Sequence, residues 1–98
     1  MADEQPIAWQ RFDGNDCVSR GPVLFHGFIL NPDTLAAAGV TFYHGVNSSG
    51  RPLFRAVTPA TQSLPVFFPK PLYLEDGLYL GAIANIDNVL VLYEPLPE

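Results

Sequence analysis

The chain has 98 residues, 48% of them hydrophobic and only 15% charged, with a formal net charge of -5. That length suits one domain, and ordinary globular domains carry about 25% charged residues, so this one has a charge-poor surface that reads as partly covered by something else. The five basic residues, Arg11, Arg20, Arg51, Arg55 and Lys70, are scattered, which argues against the basic stripe of a direct DNA or RNA binder. A single cysteine, Cys17, excludes an internal disulfide framework and cannot build a zinc site alone.

The N-terminus is acidic and polar, Met1-Ala2-Asp3-Glu4-Gln5-Pro6. It lacks the basic start and apolar run of a signal peptide, and no apolar stretch is long enough to span a membrane as a helix. The expectation is a chain made in the cytoplasm that stays soluble, with no membrane contact.

Ten prolines and eight glycines cut the chain into short segments rich in Val, Ile, Leu, Phe and Tyr, which suit strands better than helices. The first candidate is 7–12, with Ile7, Trp9 and Arg11 on one face and Ala8, Gln10 and Phe12 on the other. Asp13-Gly14-Asn15-Asp16 reads as a turn, with Cys17 in the loop after it. Residues 22–31 form the longest apolar run, a central strand covered on both sides, in which Gly27 marks a bulge or a close backbone approach. Residues 32–38 are the one helix candidate, capped by Asp33 or Thr34 and ended by Gly39, or else a loop.

Residues 40–44 and 52–57 predict a hairpin with a flexible tip at 45–51, and 58–63 a polar loop. Leu64 to Leu74 carries Pro65, Pro69 and Pro71, so it runs along an edge or extends irregularly. Glu75-Asp76-Gly77 is a turn. Residues 78–84 and 89–93 then predict a closing hairpin through Asn85-Ile86-Asp87-Asn88, before a tail, 94–98, that does not pair. Both faces of 89–93 are apolar, so both read as covered. The sum is an all-β fold of about seven strands, a single β-sandwich (jelly-roll-like) or a small barrel, with turn signals about every 8–12 residues. Residues 1–20 read as an N-terminal arm with a possible strand, and 21–98 as the sandwich domain.

No catalytic constellation assembles. His26 lies inside the apolar run and reads as a core or interface residue, and His44 as a solvated or contact histidine. Asp13 and Asp16 near Cys17 raise its pKa rather than activate it. Asp13, Asn15 and Asp16 resemble part of a calcium loop, but the closing glutamate is missing. The glycine spacing fits no nucleotide fingerprint. The reading is a non-enzymatic chain with no cofactor and no metal.

The aromatics make up 12% of the chain. Phe42 and Tyr43 are consecutive, as are Phe67 and Phe68. In extended chain one of each pair points to an outer face, and exposed aromatics are typical interface anchors or a sugar-stacking platform.

The stretch Gly21 to Tyr93, about three quarters of the chain, resembles a class of small virion structural proteins of tailed bacteriophages. The resemblance rests on the 21–31 strand Gly-Pro-Val-Leu-Phe-His-Gly-Phe-Ile-Leu-Asn, Val-Thr-Phe-Tyr-His at 40–44, the Asn47-Ser48-Ser49-Gly50 tip, Gly-Leu-Tyr-Leu at 77–80 and Asn-Val-Leu-Val-Leu-Tyr at 88–93. It implies a capsid decoration (cement) subunit located in the virion, whose partners are the major capsid protein or other virion subunits and further copies of itself; symmetry, not the resemblance, suggests a cyclic trimer for such self-association. Neck or tail components are the related alternative, and a carbohydrate- or receptor-binding sandwich is the other. The residues expected to touch neighbours are Ile7, Trp9 and Phe12 of the arm and Pro95 and Leu96 of the tail.

Overall fold

The computed structural model describes residues 8–96. Eight strands follow one another with no helix between them: β1 (Ala8–Phe12), β2 (Asp16–Ser19), β3 (Val23–Pro32), β4 (Ala38–His44), β5 (Arg51–Thr58), β6 (Leu64–Leu74), β7 (Leu78–Ala84) and β8 (Ile86–Pro95). They form two four-stranded antiparallel sheets, ordered β1-β8-β3-β6 (sheet A) and β2-β7-β4-β5 (sheet B).

The pairing has a simple logic. β4 pairs with β5, β3 with β6, β2 with β7 and β1 with β8. The chain is therefore one long antiparallel ribbon whose tip is the β4–β5 hairpin. Rolling that ribbon brings β8 beside β3 and β7 beside β4, which closes the two sheets. This is the eight-stranded jelly roll, a sandwich in which consecutive strands mostly alternate between layers.

Inward residues of both sheets make the core. Phe25, Phe28 and Phe42 are fully buried, with Phe54 and Phe68 closing the cluster at the β5 and β6 edges. Ring centroids lie 4.8 Å apart for Phe28–Phe42 and 5.0 Å for Phe25–Phe42, within the range where aromatic pairs add about 0.5–1.5 kcal/mol each beyond burial.

Strand β3 buries Val23 and Phe25, then Phe28 and Leu30. That is two alternating runs out of phase by one residue. The bulge between Phe25 and Gly27, present in the pairing to both β6 and β8, absorbs the extra residue and keeps both phenylalanines inside.

Three expectations are corrected, and of the two readings of residues 32–38 the loop stands. Asp16–Ser19, read as turn and loop, is an eighth strand that pairs with Tyr79 and its neighbours through a bulge, so residues 8–19 hydrogen-bond into both sheets. Residues 32–38 form no helix: the end of β3 runs into bends at 34–36, where the Leu35 amide donates to Asp33 Oδ1 at 2.9 Å, an Asx-type turn. The segments 78–84 and 89–93 are not a hairpin, because β7 and β8 belong to different sheets. Between them Asn85 turns the corner at φ 55, and its Nδ2 donates to the Ala37 carbonyl at 3.1 Å. The tail pairs as far as Pro95, which lies opposite Val23, and the Leu96 amide continues the ladder to the Pro22 carbonyl at 3.0 Å. Proline at the last strand position forgoes a single donor, which a strand end tolerates.

Candidate functional site: the outer face of sheet A

A two-layer sandwich leaves one face of each sheet open. On sheet A the open face is apolar. One row crosses all four strands, Trp9, Leu92, Gly27 and Phe67 in register. The next row holds Arg11, Leu90, Ile29 and Pro65. Trp9 is 68% exposed and Phe67 61%, while Ile29, Leu90 and Leu92 are half-buried. Trp9, Ile29, Leu90 and Leu92 line a hollow of about 230 Å³. The strands β3 and β8, expected to be covered on both faces, are thus covered on one face only.

Polar pairs bracket this stripe. At one end Asn31 Nδ2 donates to Asn88 Oδ1 at 2.8 Å and the Ser63 hydroxyl donates to Asn31 Oδ1 at 2.5 Å. Arg11 faces Asp87 at 3.9 Å, both largely exposed, a pair worth little energetically. At the other end His26 Nε2 meets Glu94 Oε1 at 3.4 Å. An apolar centre inside a polar, self-satisfied rim is the anatomy of a protein interface.

The expected contact residues separate. Trp9 stands on this face. Phe12, by contrast, is 4% exposed and belongs to the core, because β1 turns it inward opposite Val89; it has no surface to give a partner. Pro95 is exposed and Leu96 half-buried at the end of β8. Ile7 lies outside the described residues. Sequence reasoning placed one of Phe67 and Phe68 outside, and Phe67 is that one, while Phe68 packs on Phe25 with centroids 5.1 Å apart. It did not bring Phe67 together with Ile29, Leu90 and Leu92, since only the strand order does so.

Sheet B presents a different outer face. Tyr43 is outward while Phe42 is buried, and Tyr43 and Tyr79 lie with ring centroids 5.9 Å apart. Both rings crowd Gly81, where a Cβ would meet Tyr79 at 2.9 Å. Arg55 lies flat over Gly39, its Nη1 donating to Thr41 Oγ1 at 3.0 Å and the Ala82 carbonyl at 2.8 Å. Cys17 is half-buried on β2 opposite Tyr79; burial pushes its thiol pKa up, with Arg20 opposing. A third feature, a cleft of about 400 Å³, opens between the edges of β5 and β6 over Phe28, Phe54 and Phe68.

His44 Nε2 accepts from the Asp76 amide at 3.2 Å, so it secures the turn before β7. Among the described residues no group of three or more His, Cys, Asp or Glu side chains could hold a metal ion, and no helix is long and apolar enough to cross a membrane. Compared with protein-family models, with curated proteins and with solved structures, the chain matches none.

Proposed function

We propose that this protein is a virion structural subunit, a capsid decoration protein that binds and stabilises an assembled head lattice, and that it works by surface contact alone. The observation that carries this reading is the polar-rimmed apolar face of sheet A, built around Trp9, Ile29, Phe67, Leu90 and Leu92. Such a face is costly to leave in water at about 25 cal/mol per Å² and is of the kind that marks interaction sites. The jelly roll recurs in viral capsid domains; that is support by analogy of fold, and the face supplies the physical argument. A subunit that binds assembled lattice and not free subunits shifts assembly by mass action, and many modest contacts on one shell act together.

The test is the copy number of this chain in purified virions, measured by quantitative mass spectrometry against the major capsid subunit. A ratio near one, or a simple fraction of it, supports a lattice-covering protein. A handful of copies per particle assigns it to the neck or tail, and absence from particles overturns the virion reading.

One observation favours a second reading, a carbohydrate-binding sandwich. The Tyr43–Tyr79 pair beside the fixed Arg55 guanidinium on sheet B combines stacking surface with donors. Glycan-array binding lost in a Tyr79→Ala variant would put this reading first.

A further inference from the structure

The outer face of sheet A carries a protrusion and a hollow side by side. Phe67 on β6 projects into solvent. The hollow of about 230 Å³ is lined by Trp9 on β1, Leu90 and Leu92 on β8 and Ile29 on β3. The strand order β8-β3-β6 puts the hollow and the protrusion on opposite sides of β3, each about 4.8 Å from it. Between them, in the same row, stands Gly27, which has no side chain to hold another surface away.

We infer that the occupant of this face is a second copy of the same chain, packed sheet on sheet about a two-fold axis that runs along β3. This rests on the reading of the protein as an assembly subunit and gives that face to self-association; the dimer then meets the shell through the surfaces it leaves open, the outer faces of its two B sheets. A half-turn about β3 exchanges the positions of β6 and β8, so the Phe67 of each copy enters the hollow of the other. The interface is then isologous, with the same patch used twice. An axis across the strands would instead set Phe67 against Phe67 and leave both hollows empty.

Charge permits this packing. The chain carries -5 overall, yet the charged groups at this face are paired within each copy, Arg11 with Asp87 and His26 with Glu94. The apolar rows that would meet hold only Arg11, already at the rim. Area sets the strength. Three strands of about ten residues and the five of β1, about 4.8 Å apart at about 3.3 Å per residue, offer about 550 Å² per copy. The pair therefore buries about 1,100 Å², in the range of weak, transient interfaces. The result is a reversible dimer with a dissociation constant on the order of micromolar, not an obligate one.

The first experiment is analytical ultracentrifugation of the full chain from sub-micromolar to hundreds of micromolar. A monomer–dimer equilibrium is expected, and Phe67→Asp is expected to weaken it at least tenfold, while Val57→Asp, on the other sheet, leaves it unchanged. The second is cross-linking in a Cys17→Ser background. Phe67→Cys with Leu92→Cys are two strands apart within one copy, roughly 9.6 Å between Cα atoms, beyond the ~7 Å a disulfide spans. Oxidation is thus expected to give a covalent dimer from the double variant and not from either single one. A chain that stays monomeric throughout and gives no covalent dimer overturns the inference, and does so whether or not virions contain the protein. A monomer whose Phe67→Asp variant loses particle binding gives the face to a different virion subunit, and equally overturns it.

Discussion

Gly27 lies so close to the carbonyl oxygen of Val66 that a Cβ built on it would stand 2.3 Å away. The backbone there has φ 156, and the site is the bulge that resets the phase of β3. Both effects forbid a side chain. Gly27→Ala is expected to cost about 2 kcal/mol or more, read as a lowered urea midpoint. Gly14, with nothing within 4 Å of its would-be Cβ, is the control, and its alanine variant is expected to stay within about 0.5 kcal/mol. Equal tolerance at both positions would mean that β6, an edge strand, moves away freely.

Phe42 makes the complementary case inside the core. It is 0% exposed and touches Phe25 and Phe28 of the facing sheet and Phe54 of its own. Phe42→Ala is expected to lose about 3–5 kcal/mol, a large part of the ~5–15 kcal/mol that holds a domain of this size together. Phe67→Ala, measured by the same denaturation at high dilution, is expected to lose less than about 1 kcal/mol, since most of that ring is already in water. A comparable loss at both sites would contradict the assignment of Phe67 to an open face.

These two phenylalanines show how far local pattern reached. Consecutive aromatics at 42–43 and 67–68 must diverge in extended chain, and they do. The glycine inside the longest apolar run marked its bulge, and three prolines marked β6 as an edge. What local pattern could not carry is which strand pairs with which. β1 meets β8 and β2 meets β7 across most of the chain, and such pairings leave no trace in short-range alternation. Adjacent β7 and β8 therefore looked like a hairpin, although the left-handed Asn85 is a corner between sheets. Four residues of β2 were too few, and too near Asp13-Gly14-Asn15, to outweigh the turn signal. The same gap hid the site: each half-apolar strand was visible, but only the order β1-β8-β3-β6 gathers Trp9, Leu92 and Phe67 into one row.

The thiol of Cys17 is held above its ordinary pKa, first by burial. A group whose folded pKa is raised stabilises the fold below its unfolded value, about 8.5 for cysteine, and that contribution fades as pH climbs through the folded value. Wild type is therefore expected to lose stability relative to Cys17→Ser as pH rises from about 8.5 through the folded value, seen as converging or crossing thermal midpoints. Native Cys17 is also expected to react with iodoacetamide at neutral pH more slowly than the unfolded chain does. Faster reaction in the native state would mean that Arg20 outweighs burial.

Trp9 is the single tryptophan of the chain and stands at the rim of the apolar hollow, so its emission reports on whatever covers sheet A. Alone in water, a ring 68% exposed emits close to the unfolded chain. Covered by a second copy or by a shell subunit it loses water, because an indole at an interface keeps its apolar body buried while its N–H seeks a partner. Emission is therefore expected to move to shorter wavelength as protein concentration rises through the micromolar range, and to return on dilution. Phe67→Asp is expected to abolish the concentration dependence without altering the dilute spectrum, because Phe67 fills the hollow of the other copy and not its own. A shift that persists in Phe67→Asp would mean that Trp9 is covered by a contact that does not involve Phe67, and would remove the reason to place the two-fold axis along β3.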